Sequence, residues 1–208
     1  MNQTRLKNTE PSTIRYYEAC IPSDEQIIKT AFEVGYTHLF VEDHPSAEGI
    51  IKRVTIKPPK LRSKIHRERQ DTQLLAVHCL SVSDTNVAFQ NPDVDIISFP
   101  QEDIHQLLTP HLARQATKNH KAVQISLLPL LTNRGIQRIK LIYRIRTAIQ
   151  RLIAAQTLTL LTTTPKEYYH LRPPRTLIAL ANMIDIPDKW ALEAITKTPE
   201  VLMKRRGI

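Results

Sequence analysis

The stretch VDIISFPQ, residues 94–101, places two adjacent isoleucines between an aspartate and a serine, and a Phe-Pro pair follows. Adjacent β-branched residues favour a strand that is buried on both faces, and proline ends such a strand because it cannot donate to the ladder. The pattern predicts a strand over residues 94–98 that ends at the mouth of an α/β fold. Whether that mouth holds an active site depends on the polar residues around it.

Six further segments of this kind alternate with amphipathic segments along the chain. Short apolar strands that alternate with helices are typical of a parallel sheet covered by helices. The predicted strands cover residues 14–21, 37–43, 53–57, 73–79, 94–98, 121–126 and 158–162. The predicted helices cover residues 24–34, 102–119 (with a bend near Pro110), 134–155, 175–184 and 189–196. About seven such units fit an α/β, TIM-barrel-like parallel barrel better than an open sheet.

The composition indicates one soluble domain. The chain has 208 residues, 41% of them apolar, and it has no apolar run of the roughly 20 residues that a membrane span needs. We expect a flexible tail over residues 1–13, a single barrel domain over residues 14–208 and a cytoplasmic location. Cys20 and Cys79 fall inside predicted strands, where we expect them to act as small buried hydrophobic residues in a reducing compartment.

The positive charge is concentrated in one segment. The net charge is +9, and residues 52–69 (KRVTIKPPKLRSKIHRER) hold eight Lys or Arg against one Glu, which gives +7. Such a field attracts a polyanion, most often a nucleic acid and next an anionic lipid surface. A solvated basic loop without a partner is the alternative. In the predicted helix over residues 134–155, Lys140, Arg144 and Arg151 form a stripe that is either a solvated face or an RNA contact.

The predicted carboxyl ends of the strands carry few groups with catalytic chemistry. Parallel barrels place catalytic residues at these ends, and a hydrolase with two or three metal ions needs several His, Asp or Glu side chains there. The eight histidines form no HxH or HxxH pair, and no phosphate-binding glycine motif is present. Glu42, Asp43 and His44 are the one local cluster with ligand chemistry, and a solvated strand end is its alternative interpretation. We therefore predict no catalytic residue and no metal site in the chain.

Four segments, in their order and spacing, resemble one protein family. They are DIISFP at residues 95–100, KAVQI at 121–125, LTLLTTTP at 158–165 and LRPPRTLIALANMIDI at 171–186. Over about residues 14–203 the chain is similar to ribonuclease P protein component 3, the barrel-like protein subunit of archaeal and eukaryotic ribonuclease P. It resembles a divergent archaeal member, since the family usually has Asp at Glu18, Glu at Gln124, Ser-Ser-Gly-Ala at residues 162–165 and Asp at Thr176.

The resemblance implies a fold similar to polymerase-and-histidinol-phosphatase domains, without the metal ligands of those phosphoesterases. It implies a non-catalytic subunit that binds the catalytic RNA of ribonuclease P and supports endonucleolytic removal of the 5′ leader from precursor tRNA. A small ferredoxin-like subunit would join the chain in a heterodimer or heterotetramer, and precursor tRNA would be an indirect partner. The chain itself would need no cofactor, and Mg²⁺ would serve the RNA-catalysed reaction of the holoenzyme.

Eight basic residues are candidates for RNA contact. The resemblance implies this role for Lys121, Arg172 and Arg175. Charge alone suggests it for the other five, which are Lys57, Lys60, Arg62, Lys64 and Arg114. For Arg172, a helix cap or a salt bridge that closes the barrel is an equal alternative. Two other functions stay open: a metal-dependent phosphoesterase on the same barrel, and a protein scaffold whose bases serve acidic partners.

Overall fold

Seven parallel strands form a nearly closed barrel with helices around it. The computed structural model describes residues 14–208. Its strands are β1 (Tyr17–Ile21), β2 (His38–Glu42), β3 (Ile50–Ile56), β4 (Leu74–His78), β5 (Ile96–Ser98), β6 (Ala122–Ser126) and β7 (Thr159–Thr162). Each strand pairs in parallel with the next one along the chain, so the order runs from β1 to β7 without a crossover. The TIM-barrel-like fold and the seven strands predicted from the sequence are confirmed.

Ten α-helices connect and cover these strands within residues 14–208. They are α1 (Glu25–Glu33), α2 (Leu61–Glu68), α3 (Val82–Gln90), α4 (Ile104–Leu107), α5 (Pro110–Lys118), α6 (Leu128–Thr132), α7 (Gly135–Ala154), α8 (Pro174–Asn182), α9 (Asp188–Ile195) and α10 (Lys197–Arg205). A 3-10 helix, Tyr168–His170, lies between β7 and α8.

The sequence prediction missed α2, α3, α6 and α10, and it joined α4 and α5 into one helix. The buried residues of α2 are only Leu61 and Ile65, so its apolar pattern is short and is hidden among basic residues. The chain leaves helical geometry at Leu108, and the Thr109 side chain then caps α5, which has Pro110 in its first turn. The predicted bend at Pro110 is therefore wrong, because this proline starts a new helix.

The interior of the barrel is apolar near the amino ends of the strands and polar near their carboxyl ends. Alternate residues of a strand point to the same face. One inward residue from each strand belongs to a single buried cluster, which contains Tyr17, Phe40, Ile51, Leu74, Ile96, Ala122 and Leu160. Two residues further along four of the strands, the same face carries Glu42, Ser98, Gln124 and Thr162, and His78 lies on it four residues beyond Leu74. This polar layer opens at the end of the barrel where parallel barrels form their binding sites.

The outward faces of the strands pack against the surrounding helices. Leu75, Val77 and Ile97 belong to the large core that also contains Ala113 of α5 and Ile145 of α7. Full burial of one such aliphatic side chain stabilises a fold by about 1.5–3 kcal/mol. Because both faces of the sheet are covered, the strands are nearly continuous apolar runs in the sequence.

Asp95, the acid of the stretch VDIISFPQ, joins several elements at the amino end of the barrel. It immediately precedes β5, and its side chain accepts a hydrogen bond from the backbone N–H of Leu75 in β4 (2.9 Å). The same carboxylate pairs with Arg69 after α2 (2.9 Å) and with Arg206 after α10 (2.6 Å). Since the carboxylate is buried, its removal would leave two cations without their partner, which is strongly destabilising.

Residues 1–13, for which the sequence predicts a flexible tail, lie outside the described residues. Within residues 14–208, no helix has both the length and the apolarity to cross a membrane. Both thiols of the chain are free, and Cys79 is buried directly after β4 as expected, whereas Cys20 in β1 is only half-buried.

Candidate nucleic-acid interface

A polar cavity of about 830 Å³ lies at the carboxyl ends of the strands. The polar layer of the barrel lines it, with Glu42, Arg53, Thr55, His78, Ser98 and Gln124 among the lining residues. Two exposed lysines, Lys57 after β3 and Lys166 after β7, line it as well. This cavity is the mouth of the barrel, where catalytic groups of a parallel barrel would lie.

Arg53 belongs to the interior of the barrel, although the sequence analysis counted it in the basic segment. It is 1% exposed, and its Nε lies 2.9 Å from Glu42 Oε1. One of its terminal nitrogens donates to the Ala19 carbonyl of β1, and the Thr55 hydroxyl donates to the same Glu42 oxygen at 2.5 Å. A buried ion pair needs such additional bonds because removing both ions from water is costly. Arg53 is therefore not available to a polyanion.

Glu42, Asp43 and His44 do not form a cluster suited to a metal ion. Glu42 is occupied by Arg53, and His44 Nδ1 lies 2.7 Å from the Pro45 carbonyl oxygen. Over the whole of residues 14–208, no group of three or more His, Cys, Asp or Glu side chains is arranged to hold a metal. Catalytic zinc sites use three protein ligands, so the mouth lacks the donor set for that chemistry.

His78 and Ser98 contact each other in the mouth. His78 Nδ1 lies 3.0 Å from Ser98 Oγ. Burial lowers the pKa of His78, and the positive charges of Lys57 and Arg53 lower it further. A neutral imidazole beside a serine hydroxyl resembles the pair of a general base and a nucleophile in an enzyme. Among the described residues, however, no carboxylate bonds to His78, so the third member that orients a catalytic histidine is missing.

The connection from β3 to α2 brings four of the RNA-contact candidates together. Lys57, Lys60 and Arg62 are exposed. Lys64 donates from Nζ to the backbone carbonyl oxygen of Lys57 at 3.0 Å, which fixes its charge at the carboxyl end of β3. We refer to Lys57, Lys60, Arg62 and Lys64 as the basic turn. The remaining bases of the segment differ, since Arg69 pairs with the buried Asp95 and Arg53 lies inside the barrel.

Lys121 lies at the opposite end of the barrel, immediately before β6, and is 5% exposed. Its Nζ donates to the carbonyl oxygens of Asn91 (2.6 Å) and Val94 (2.7 Å). Burial lowers the pKa of Lys121 to about 8. These bonds hold the connection from α3 to β5 against β6. They favour a structural role for Lys121 over the predicted RNA contact.

Arg114 is exposed on α5 and faces α7. It lines a groove of about 330 Å³ together with Thr147, Gln150 and Arg151 of α7. Arg151 donates to the carbonyl oxygens of His105 and Leu108 and so ties α4 to α7. The basic stripe predicted on this helix therefore loses Arg151 to an internal role.

The segment between β7 and α8 combines two predicted arginines with two tyrosines that the sequence analysis missed. Arg172 is half-buried and donates from Nη1 to the carbonyl oxygens of Tyr169 and Leu171, both at 2.7 Å. Arg175 is exposed in the first turn of α8. Tyr168 and Tyr169 are 46% and 60% exposed, with ring centroids 5.5 Å apart. Exposed rings beside cations are the groups that stack unpaired bases, and the Tyr-Tyr-His sequence was the available signal.

The fold and the mouth define a TIM-barrel-like α/β protein with exposed basic segments and with no metal-ligand cluster in residues 14–208. The model of the family RNase P subunit p30 matches residues 14–207, which is nearly the whole chain. The chain therefore belongs to the RNase P subunit p30 family. The resemblance drawn from the four sequence segments is confirmed.

Archaeal relatives support this membership. Ribonuclease P protein component 3 of Methanosarcina acetivorans is 32% identical over 166 residues, which cover 80% of this chain and 69% of the relative. The protein of the same name from Methanosarcina barkeri is 27% identical over 214 residues, which cover 92% of this chain and 90% of the relative.

Two solved structures share the barrel fold. A chain of archaeal ribonuclease P, determined by cryo-EM with mature tRNA, superposes with a TM-score of 0.79 at 18% identity and covers 91% of this chain and 90% of its own length. An amidohydrolase crystal structure gives a TM-score of 0.53 at 10% identity, covering 86% of this chain and 46% of that one. At these identities the likeness establishes the fold alone.

Proposed function

We propose that this chain is a non-catalytic protein subunit of ribonuclease P that binds the catalytic RNA and supports removal of the 5′ leader from precursor tRNA. The observation that carries the proposal is the family match over residues 14–207. The archaeal relatives are named as components of ribonuclease P, which supports the same assembly for this chain. The Glu42–Arg53 ion pair supports the non-catalytic role, because it occupies the carboxylate that a metal-dependent reaction would use.

The RNA-contact surface that we propose has two parts. The first is the basic turn, whose four cations lie in the connection from β3 and in the first turn of α2. The second is the segment with Arg175, Tyr168 and Tyr169, where cation and aromatic ring lie close in sequence and are exposed. Each phosphate that a cation neutralises releases counterions, so affinity falls with salt at a log-log slope of about 0.7–0.9 per contact. Arginine suits this role because its planar fork bonds phosphate at two points.

Partners and conditions follow from the same proposal. We infer that a small ferredoxin-like subunit of ribonuclease P pairs with the chain in a heterodimer or heterotetramer, and that precursor tRNA is contacted only indirectly. The relatives are named protein component 3, and this numbering supports the presence of other protein components. Mg²⁺ serves the RNA-catalysed reaction and not a site of this chain, and we place the reaction in the cytoplasm.

Reconstitution tests the proposal. Precursor tRNA and the catalytic RNA are incubated with Mg²⁺, with and without this chain and the other protein subunits. We expect the chain to raise the cleavage rate or lower the Mg²⁺ requirement, and no stimulation would refute the proposal. RNA affinity measured over a salt series separates the alternatives, because a scaffold whose bases serve acidic proteins would give a flat slope.

The phosphoesterase alternative has a direct test on the isolated chain. Hydrolysis of a phosphoester is assayed with added Mn²⁺, Zn²⁺ or Mg²⁺. We expect no activity. Hydrolysis that disappears in Glu42→Gln and in His44→Ala, while Glu33→Gln on α1 retains it, would establish the enzyme instead.

A further inference from the structure

Three large apolar side chains of α7 are exposed on one face of the helix. Ile136, Ile139 and Tyr143 are 70%, 66% and 67% exposed. At 100° per residue they fall within about 60° of one another. The residues that α7 buries, among them Ile145 and Leu152, centre on the opposite side of the helix. α7 is therefore apolar on both faces, which is the pattern of a helix that is buried on both sides.

The turn after α8 contacts α7 beyond these residues. Arg146 of α7 pairs with Asp185 at 2.7 Å, which fixes the turn beside the helix. Met183 in the same turn is 80% exposed. On the helical wheel, Arg146 lies next to Ile139 but about 10 Å further along the helix axis, so this turn lies towards the carboxyl end of α7 from the exposed apolar residues. We refer to Ile136, Ile139 and Tyr143 as the α7 face; it is larger than the single exposed apolar residues that are ordinary on a protein surface.

The charges on α7 itself have one sign. α7 contains five Lys or Arg and no Asp or Glu. Residues 104–166 contain ten Lys or Arg and no acid at all. Lys140 and Arg144 border the face, and the carboxylate of Asp185 on its far side is already paired. A complementary surface must therefore present an apolar centre with carboxylates around it.

We infer that the α7 face docks a protein subunit of ribonuclease P through an apolar groove bordered by Asp or Glu side chains. The inference rests on the proposed function, which places the chain in an assembly with other proteins. Cores of protein interfaces are apolar and enriched in Tyr and Arg, and the α7 face contains Tyr143 with Arg144 at its border. A second copy of the chain is a poor occupant, because a two-fold contact would bring cation-only helices together.

RNA is also a poor occupant of this face. Phosphates would engage Lys140 and Arg144, but the isoleucines would remain beside a charged backbone without burial of their apolar area. Contact with a protein buries those side chains and pairs the two cations at the edge. The two occupants therefore differ in which substitutions abolish binding.

The experiment uses the full chain and each purified protein subunit of ribonuclease P from the same organism, with binding measured by calorimetry. The apolar variant is Ile139→Gln with Tyr143→Gln, and the charge variant is Lys140→Gln with Arg144→Gln. The matched control is Leu80→Gln with Val82→Gln, a pair that is 55% and 50% exposed outside α7. Thermal unfolding of every variant checks the fold, and we expect little loss because five of the six side chains are exposed and the sixth, Arg144, is half-buried.

We expect one subunit to bind the wild-type chain. The apolar variant should weaken that binding on the order of 100-fold. The charge variant should weaken it less and reduce its salt dependence, and the control should bind as the wild type does. RNA affinity of the apolar variant should be unchanged.

Several outcomes would overturn the inference. The apolar variant binding the subunit as the wild type does would remove the α7 face from the interface. Three other results would assign the face to a different partner, provided that the apolar variant still binds the subunit. Loss of RNA affinity would assign it to RNA, and loss of self-association in sedimentation would assign it to a second copy. Loss of binding to phosphatidylserine vesicles would assign it to a membrane. If the wild-type chain stimulates cleavage in the reconstituted reaction but no subunit binds it, only this inference fails; if it does not stimulate cleavage, the proposed function itself fails.

Discussion

Glu18 Oε2 accepts a hydrogen bond from the Thr163 hydroxyl at 3.0 Å, and this contact joins the first strand of the barrel to the end of the last. The same carboxylate also accepts from the backbone N–H of Thr163 at 3.3 Å and from the Thr162 hydroxyl. Within residues 14–208 the backbone ladders run from β1 to β7, and none pairs β7 with β1. The Glu18 side chain therefore bridges the boundary between β1 and β7, which no backbone ladder closes. We refer to this boundary as the seam.

Several of the positions at which the sequence analysis finds a departure from the family pattern meet at this seam, whereas Thr176 lies in α8. Glu18 stands where the family usually has Asp, and Thr162 and Thr163 stand where it has small residues. Gln124, also a departure, donates to the Thr164 hydroxyl at 3.4 Å on the neighbouring strand end. The longer acid and the added hydroxyls are bonded to each other, so these changes are coupled through contact.

Shortening or removing Glu18 should destabilise the barrel. Glu18→Ala leaves two buried hydroxyls and a buried N–H without an acceptor, and we expect a loss of about 2–4 kcal/mol in the free energy of unfolding. Glu18→Asp should cost less, since a carboxylate one methylene shorter keeps part of the network. Urea unfolding measures both. Glu33→Ala, on the exposed face of α1, is the control, and we expect it to change the free energy of unfolding by less than about 0.5 kcal/mol. An equally small change for Glu18→Ala would show that the hydrogen bonds at the seam contribute little to stability.

Lys121 should make stability depend on pH in the alkaline range. Its pKa is lowered from 10.5 to about 8 in the fold. Between these values the unfolded chain keeps a proton that the folded chain has lost, so the free energy of unfolding rises with pH, by at most about 3 kcal/mol. Below about pH 8 the penalty of burying the charge is fully present. Lys121→Met should remove this rise, and exposed Lys118→Met should retain it. The same rise in Lys121→Met would assign it to another group.

Cys79 should be inert toward thiol reagents in the folded protein. Burial raises the pKa of its thiol to about 12, so little thiolate is present at pH 8. In a Cys20→Ser variant, labelling with iodoacetamide should be undetectable until urea unfolds the chain. Labelling of the folded variant at the rate of a free thiol would contradict the burial. Cys79→Ser, which leaves half-buried Cys20, gives the comparison rate for the other thiol.

Exposed and paired cations of the basic segment should differ in RNA binding. Lys60→Ala with Arg62→Ala should lower the log-log salt slope of RNA affinity by about 1.4–1.8, which corresponds to two phosphate contacts. Arg67→Ala is the matched control, because Arg67 pairs with Glu68 at 2.6 Å in the same helix. The measurement is a filter-binding titration with the catalytic RNA over a salt series. Equal slopes for the double variant and the wild type would exclude the basic turn from the interface.

Arg172 and Arg175 should separate structural and RNA-binding roles. Arg172 bonds two carbonyl oxygens in the turn before α8, so Arg172→Ala should lower the melting temperature. Arg175 is exposed, and Arg175→Ala should weaken RNA binding by about 1.5–3 kcal/mol without changing the melting temperature. Thermal unfolding and RNA titration on both variants measure this. An unchanged melting temperature with lost RNA affinity in Arg172→Ala would assign Arg172 to the RNA.

The sequence by itself was sufficient for the seven strands and their order, because a strand covered on both faces must be a continuous apolar run, as Ile96 and Ile97 are. It was also sufficient for the family, through four short segments. It could not find α2, which buries only Leu61 and Ile65, or α10, whose buried residues include Thr198 and Pro199 and so give no regular apolar period.

Only the tertiary structure decided which charges are surface charges. Charge and position along the chain look alike for Arg53 and Lys60, but one lies inside the barrel and the other is exposed. The groups that bind the buried ones come from far away in sequence: Lys121 bonds residues 27 and 30 positions earlier, and Glu18 bonds Thr162, 144 positions later. Burial and pairing are properties of the closed barrel, so no local pattern of residue types encodes them.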